Sequence, residues 1–263
     1  MQETAYSVPI YVTANSLVNE RVSLMDAIEI ARNAGADGFE VRRELLPARL
    51  DAAEVEAVRQ QLQMFPSSAA YSIPLSLFRE GRFEREPLQR ALTEARAFGC
   101  RLAKFSPIGV ERGESAFAGL DDLCALVRGE AAEMMVTVEN DQSLVSGDLD
   151  LWTRFFARAA DCSIRMTFDL GNWLCVGGDP LQAAQRLGRY VTYIHAKSVE
   201  LSAGQCVAHP IRAAATAHPA FAYLPGNVPR AIEFPISVGT HDEISTALRS
   251  YVNLLRSGNF ATS

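Results

Sequence analysis

Short apolar runs alternate along the chain with longer segments whose apolar residues recur at i, i+3, i+4 and i+7. Eight runs have the length and residue types of strands: Pro9–Ala14, Gly38–Arg42, Ala69–Pro74, Leu102–Pro107, Met134–Glu139, Ile164–Asp169, Tyr190–Ala196 and Arg230–Pro235. Between them, amphipathic periodicity predicts helices. One spans Ser23–Ala34, with Leu24, Ala27, Ile28 and Ala31 as its stripe. Another spans Asp51–Met64, with Ala53, Val55, Val58, Leu62 and Met64 mostly on one side. Pro87–Phe98, Gly119–Ala132, Leu149–Ala160, Pro180–Leu187 and Glu243–Leu255 complete the set. Asp51 and Asp148 stand at expected N-caps, and Gly35 and Gly99 at expected C-caps. The strands recur every 25–38 residues or so, about the length of βα units joined by short loops.

Strands separated by helices belong in a parallel sheet with helices outside it. Eight units predict closure into a (β/α)8 TIM barrel, a fold of roughly 250 residues. The open doubly wound sheet, its competitor, usually carries a glycine-rich phosphate turn after the first strand. Here that strand runs into Thr13-Ala14-Asn15-Ser16, and neither GxGxxG nor a Walker A pattern follows. The rhythm falters between Ala208 and Pro229, where Pro210, Pro219 and Pro225 leave only Ile211–Ala217 for a helix. A shortened or irregular seventh helix is expected there. No repeat, linker or low-complexity tract divides the chain, so residues 1–263 are expected to form a single barrel domain.

Composition changes this picture little and closes off several functions. The chain is 48% hydrophobic and 21% charged, with mean hydropathy +0.02, ordinary for a soluble globular domain. A chain of this length buries roughly 75% of its unfolded surface and needs no covalent staple. Net charge −6 and a pI near 5.3 argue against a sequence-independent nucleic-acid binder, which presents a basic face. The five cysteines, Cys100, Cys124, Cys162, Cys175 and Cys206, are odd in number, scattered and form no CxxC. Reduced thiols in a cytoplasmic protein, most of them small core residues, are the expectation. The first residues lack the basic start and apolar stretch of a signal peptide, and no run of 18 apolar residues occurs to span a membrane.

Four of the apolar runs carry one polar residue of metal-ligating type near the C-terminal end: Glu139, Asp169, His195 and Glu233. In a barrel these ends meet at the rim where chemistry is housed. An acidic strand end alone is weak, since Asp and Glu also cap loops, but four on consecutive strands would face one quadrant of the mouth. Three carboxylates and one imidazole suit one divalent ion, Mn²⁺, Mg²⁺ or Co²⁺, with Zn²⁺ a lesser fit.

On these residues the chain resembles the xylose isomerase-like TIM barrels, the sugar and sugar-phosphate isomerases and epimerases related to ketose 3-epimerases and endonuclease IV. The matching motifs are Val136-Thr137-Val138-Glu139-Asn140, Thr167-Phe168-Asp169-Leu170-Gly171-Asn172, Tyr193-Ile194-His195-Ala196-Lys197 and Ala231-Ile232-Glu233-Phe234. Gly38-Phe39-Glu40-Val41 is similar to the family's second strand, where a Glu often faces substrate. The match covers nearly the whole chain. It implies a metal-dependent isomerase or epimerase that moves a proton α to a carbonyl through a metal-stabilised enediolate. Glu139 and Glu233 would be the catalytic acid–base pair, and Asp169 and His195 metal ligands only. General acid–base catalysis of this kind is worth about 10²–10⁴-fold. The implied partner is a small-molecule sugar or sugar derivative, with no nucleic acid and no membrane; a homodimer or homotetramer is compatible.

Two departures widen the substrate question. Asn172 stands where 3-epimerases commonly have His, and His195-Ala196-Lys197-Ser198 replaces the family's His-x-Lys-Asp. An isomerase, an epimerase of a sugar acid or sugar phosphate, and an inosose-type dehydratase all stay open. An endonuclease IV-like enzyme needs a histidine-rich three-metal cluster, which a chain with 4 histidines does not supply. A non-catalytic sugar-binding barrel would predict loss of a carboxylate, yet all four ligand positions are filled.

Other residues are candidates of lesser weight. Lys104, inside an apolar strand, either binds a substrate anion or pairs with Glu139 or Glu40. Lys197 shares a face with His195 and is a candidate substrate ligand, as are Glu40 and Asn172. Arg42 shares a face with Glu40 by the period-two rule, where a solvent-exposed pair is the plainer reading. Asn140 and Gln142 are placed to support Glu139 by hydrogen bonds. Trp173 and Phe105 read as core before pocket wall, and His209, His218 and His241 as loop or surface residues.

Overall fold

Alternation along each strand sends apolar side chains outward to the helices and leaves the inner face to a different set of residues. The computed structural model describes residues 8–19, 21–110, 117–202, 204–212, 218–236 and 239–257. All eight predicted strands form: β1 (Ile10–Thr13), β2 (Gly38–Arg42), β3 (Ala70–Ile73), β4 (Leu102–Phe105), β5 (Met135–Glu139), β6 (Ile164–Asp169), β7 (Val191–Ala196) and β8 (Arg230–Ile232). They close into one barrel in chain order, every neighbouring pair parallel, with β8 pairing back onto β1.

Helices α1 (Leu24–Asn33), α2 (Ala52–Leu62), α3 (Arg85–Ala97), α4 (Leu120–Glu130), α5 (Leu149–Arg158), α6 (Leu170–Cys175), α7 (Pro180–Leu187) and α8 (His241–Ser257) surround it. Their starts are written in the sequence. Ser23 and Asp26 form a reciprocal capping box at α1, while Asp51, Asp148 and Asp179 accept from the first backbone N–H groups of α2, α5 and α7. Pro180 opens α7, where its missing N–H costs nothing. Val12, Phe39, Val136, Val138, Phe168 and Ile194 on the strands pack with Ile28, Leu92, Leu123, Phe155 and Leu248 in one continuous core. Burying each large side chain contributes about 1.5–3 kcal/mol.

The inner face is built differently. Tyr11, Ala70, Leu102, Tyr193 and Ala231 form a small apolar cluster of their own. Tyr11 and Tyr193 meet edge to face, 5.7 Å between ring centroids. Gly38 makes room for them, since a Cβ there would stand 2.5 Å from Tyr11 Cζ. The rest of the inner face is buried and polar: Thr13, Ser72, Thr137 and Thr167. Thr137 and Thr167 bond to each other at 2.8 Å, and Thr13 donates to the Ile232 carbonyl at 2.9 Å.

Three features depart from the sequence expectation. The short α6 precedes α7 in the β6 connection. β7 is followed by a two-stranded hairpin, Ser198–Ser202 with Gln205–His209, and later by a 3₁₀ turn, Pro219–Tyr223. The helix expected over Ile211–Ala217 falls largely on residues 213–217, which lie outside the described residues. Third, Cys175 and Cys206 are joined by a disulfide, Cα–Cα 5.5 Å, which corrects the expectation of reduced thiols throughout. The pair is 31 residues apart, and only the fold of the hairpin against α6 makes them neighbours. Cys100, Cys124 and Cys162 are free and buried, as small core residues should be. Among the described residues no helix is long and apolar enough to cross a membrane.

Candidate metal centre

Parallel register brings the four strand-end residues together. Glu139 and Asp169 are the last residues of β5 and β6, His195 is next to last in β7, and Glu233 directly follows β8, its N–H donating to the Ala196 carbonyl at 3.2 Å. Asp169 and His195 are register partners. All four are buried, and each offers one ligand atom within 4.8 Å of the others.

Local structure decides which atom each offers. Asp169 caps α6: its Oδ1 accepts the Asn172 N–H at 2.8 Å, which leaves Oδ2 for the centre. Asn140 fixes the Asp169 backbone, accepting its N–H at 3.0 Å and donating to its carbonyl at 2.8 Å. The Asn172 amide donates in turn to the Asn140 carbonyl at 2.8 Å, and Gln142 donates to Asn172 Oδ1 at 3.3 Å. His195 Nε2 lies 2.9 Å from Glu40 Oε2. A proton held on Nε2 by that carboxylate turns the Nδ1 lone pair inward. Nδ1 then stands 2.8 Å from Glu139 Oε1, 3.0 Å from Glu233 Oε2 and 3.9 Å from Asp169 Oδ2.

Three of these inward atoms, Glu139 Oε1, Asp169 Oδ2 and His195 Nδ1, are buried without a well-aligned hydrogen bond, Asp169 Oδ2 facing the Lys197 ammonium at 2.7 Å and Nδ1 facing Glu139 Oε1 at 2.8 Å. Buried polar atoms are nearly always well satisfied, so several acceptor atoms crowded together with poor partners need an explanation. A divalent cation bound by carboxylate oxygens and one imidazole nitrogen supplies it, and the donor set fits that group.

Cations surround the cluster. Lys104 pairs with Glu139 Oε2 and lies 3.7 Å from Glu40. Arg42 reaches Glu233 Oε1 at 2.8 Å and Glu40 Oε1 at 3.3 Å. Lys197 stands 2.7 Å from Asp169 Oδ2 and 2.8 Å from Glu233 Oε2. Burial opposes the charge on Glu40, yet Lys104 and His195 outweigh it and hold the carboxyl at about 2. Glu139 and Glu233 are likewise held below the usual range against burial, the first mainly by Lys104 and the second mainly by Lys197. Asp169 goes the other way: burial, with Glu233 and Glu139 close by, pushes it up to about 7 although Lys197 opposes the shift. Carboxylates crowded in a buried site cannot all ionise freely, and a bound dication reverses that logic.

A cavity of about 440 Å³ opens above the cluster, with Glu139 and Glu233 in its floor. Asn15, Ser106, Gln142, Asn172, Arg42 and Lys197 give it polar walls, and Phe234 and Pro235 an apolar edge. Of the four residues proposed from sequence to meet substrate, Lys197 and Asn172 line this cavity. Glu40 and Lys104 are buried beneath it and face the ligand set instead. Arg42, read as a solvent-exposed pair, has a side chain only 17% exposed and bridges Glu40, Glu44 and Glu233; sharing a face with Glu40 was the signal for it. Asn15 and Ser106 were missed, although Asn15 directly follows the first predicted strand and Ser106 lies at the C-terminal end of the fourth, the rim positions where site residues are expected. Trp173 and Phe105 are core. A larger cavity, about 670 Å³, lies at the opposite end of the barrel beside Phe65, Ser67, Arg96, Arg101 and Glu130, away from the ligand cluster.

No family model matches the sequence, and no curated protein sequence does either. Solved structures do. An L-ribulose 3-epimerase superposes with TM-score 0.68 at 15% identity, covering 94% of both chains. The xylose isomerase domain protein of Planctomyces limnophilus gives 0.68 at 16%, covering 97% of this chain and all of that one. The probable 3-DHS dehydratase AsbF of Bacillus anthracis gives 0.64 at 14%, covering 94% and 99%. The chain shares the (β/α)8 barrel fold of these proteins.

Proposed function

We propose that the chain is a divalent-metal-dependent isomerase or epimerase of a sugar or sugar derivative, moving a proton at a carbon α to a carbonyl. The observation that carries the reading is the buried convergence of Glu139, Asp169, His195 and Glu233, each offering one ligand atom within 4.8 Å of the others. Mn²⁺, Mg²⁺ or Co²⁺ fits such an oxygen-rich set, and when bound supplies Lewis-acid polarisation of a carbonyl oxygen.

The chain's own residues would do the rest. Glu139 and Glu233 both line the cavity floor and both start ionised. One carboxylate would take the α-proton; the other, once protonated from solvent, would return a proton to the opposite face, and the first would release its proton to solvent to reset the pair. Lys104 on Glu139 and Arg42 on Glu233 favour the ionised state of each and hold both side chains in place. Asp169 and His195 stay ligands, oriented by Asn140 and Glu40. The amides of Asn15, Gln142 and Asn172 and the hydroxyl of Ser106 suit a polyhydroxylated substrate, each offering donor and acceptor. The fold likeness to an L-ribulose 3-epimerase is consistent with this class.

A lyase reading uses the same first proton transfer but expels a β-hydroxyl as water. The likeness to a probable 3-DHS dehydratase favours it. Metal analysis of the purified protein, followed by exchange of substrate protons into D₂O across a panel of keto-sugars, tests the main reading. Exchange with retained mass plus deuterium is expected. Loss of 18 mass units, about one water, indicates the lyase. The catalytic assignment fails if no divalent ion binds, or if Glu139→Gln and Glu233→Gln leave exchange untouched.

A further inference from the structure

We propose that the ammonium of Lys197 is the resident cation of this centre in the ion-free protein, and that a divalent ion enters in exchange for it. The released ammonium then lies in the cavity, free to meet a substrate oxygen. The inference rests on the metal-binding reading above and adds the loading step to it.

The three cations around the cluster hold different oxygens. Lys104 and Arg42 hold outer ones, Glu139 Oε2 and Glu233 Oε1. Lys197 alone of the three holds inner ones. Its Nζ is 2.8 Å from Glu233 Oε2, itself 3.0 Å from His195 Nδ1. It is also 2.7 Å from Asp169 Oδ2, the carboxylate oxygen left over after the α6 cap. Those two atoms complete the four-ligand set. An ammonium and a dication on the same oxygens repel strongly in a buried site, so occupancy by one excludes the other. Lys104 and Arg42 are compatible with a loaded site; Lys197 in this position is not.

The lysine is built into its seat. Its stem crosses Gly171, where an added Cβ would stand 2.9 Å from Lys197 Cγ, 3.0 Å from Cε and 2.8 Å from Val199 Cγ1. Residue 171 is therefore a slot shaped for that stem. The chemistry of the residue agrees. The chain has only two lysines, Lys104 and Lys197, and all its other basic residues apart from histidine are arginines. A compact, flexible point charge can stand in for a metal ion and move aside, whereas a planar guanidinium fork cannot do so easily. Lys197 also lines the cavity, which gives the displaced ammonium a destination. The site thereby offers a free ammonium to substrate only once an ion is in place.

The experiment compares chelator-treated unaltered protein with Lys197→Met, using Mn²⁺ alone as the probe. Calorimetric titration should show the variant binding Mn²⁺ at least about tenfold more tightly, since no ammonium has to leave. In parallel, the unaltered chain is treated with an amine-acetylating reagent with and without Mn²⁺, and the modified peptides are weighed. Acetylation at Lys197 should rise with Mn²⁺ while Lys104 stays protected. This arm uses the unaltered chain and decides the matter even where Lys197→Met does not fold. If unaltered protein binds Mn²⁺ but the variant binds it equally or more weakly, or Lys197 labelling does not rise, the exchange is overturned and the metal site stands. If neither protein binds Mn²⁺, the metal reading falls, and the exchange with it.

Discussion

Glu40 offers the sharpest test of how the centre is supported. The family resemblance implies a substrate-facing Glu on the second strand, but this side chain is fully buried and 2.9 Å from His195 Nε2. Glu40→Gln keeps its volume and removes its charge. The amide either keeps a weaker acceptor on Nε2–H or presents its NH₂ to Nε2, which favours the tautomer with a proton on Nδ1 and blocks that ligand. Loss of such a support costs about 10–100-fold in metal affinity, or about 1.4–2.8 kcal/mol. Folding stability should fall as well. Breaking a buried ion pair costs about 3–5 kcal/mol. The low end applies here, because Lys104 keeps Glu139 and Arg42 keeps Glu233. For a chain of this size 3 kcal/mol is a drop of about 6–12 °C in Tm. Calorimetric titration with Mn²⁺ and a thermal melt of the chelated protein measure the two effects. Glu44→Gln is the control: Glu44 holds Arg42 from the rim at 2.7 Å, and with Glu44 partly open to solvent the pair is worth about 1 kcal/mol. A Glu40→Gln protein that folds and binds Mn²⁺ within about threefold of the unaltered affinity would refute the supporting role.

Two further outcomes test the fold around the site. Gly38→Ala drives a Cβ to within 2.5–2.7 Å of three Tyr11 ring atoms. Overpacking of a rigid ring costs about 1–3 kcal/mol, so a thermal melt should shift down by several degrees; an unchanged Tm would show that the ring simply moves. For the disulfide, titration of denatured protein under non-reducing conditions should find three thiols, Cys100, Cys124 and Cys162, and all five after reduction. Five thiols without reductant would remove the covalent tie between α6 and the hairpin after β7.

The sequence alone determined the barrel and the four polar residues that meet at its mouth. Strand runs and helical stripes are local patterns, and eight of them in alternation leave a closed parallel sheet as the consistent solution. Glu139, Asp169, His195 and Glu233 were legible because a strand's C-terminal end has a fixed address in that fold. Tertiary structure decided the rest. Asp169 is set locally by the Asn172 N–H, but the inward atoms of the others depend on partners far along the chain: Lys104 on Glu139 across 35 residues, Glu40 on His195 across 155, and Arg42 on Glu233 across 191. The same holds for the Cys175–Cys206 bond and the hairpin that brings its halves together. Such pairings follow from register and burial, which no local periodicity encodes. They separate Glu40 and Lys104, buried beneath the centre, from Lys197, whose ammonium stands on two of its inner oxygens.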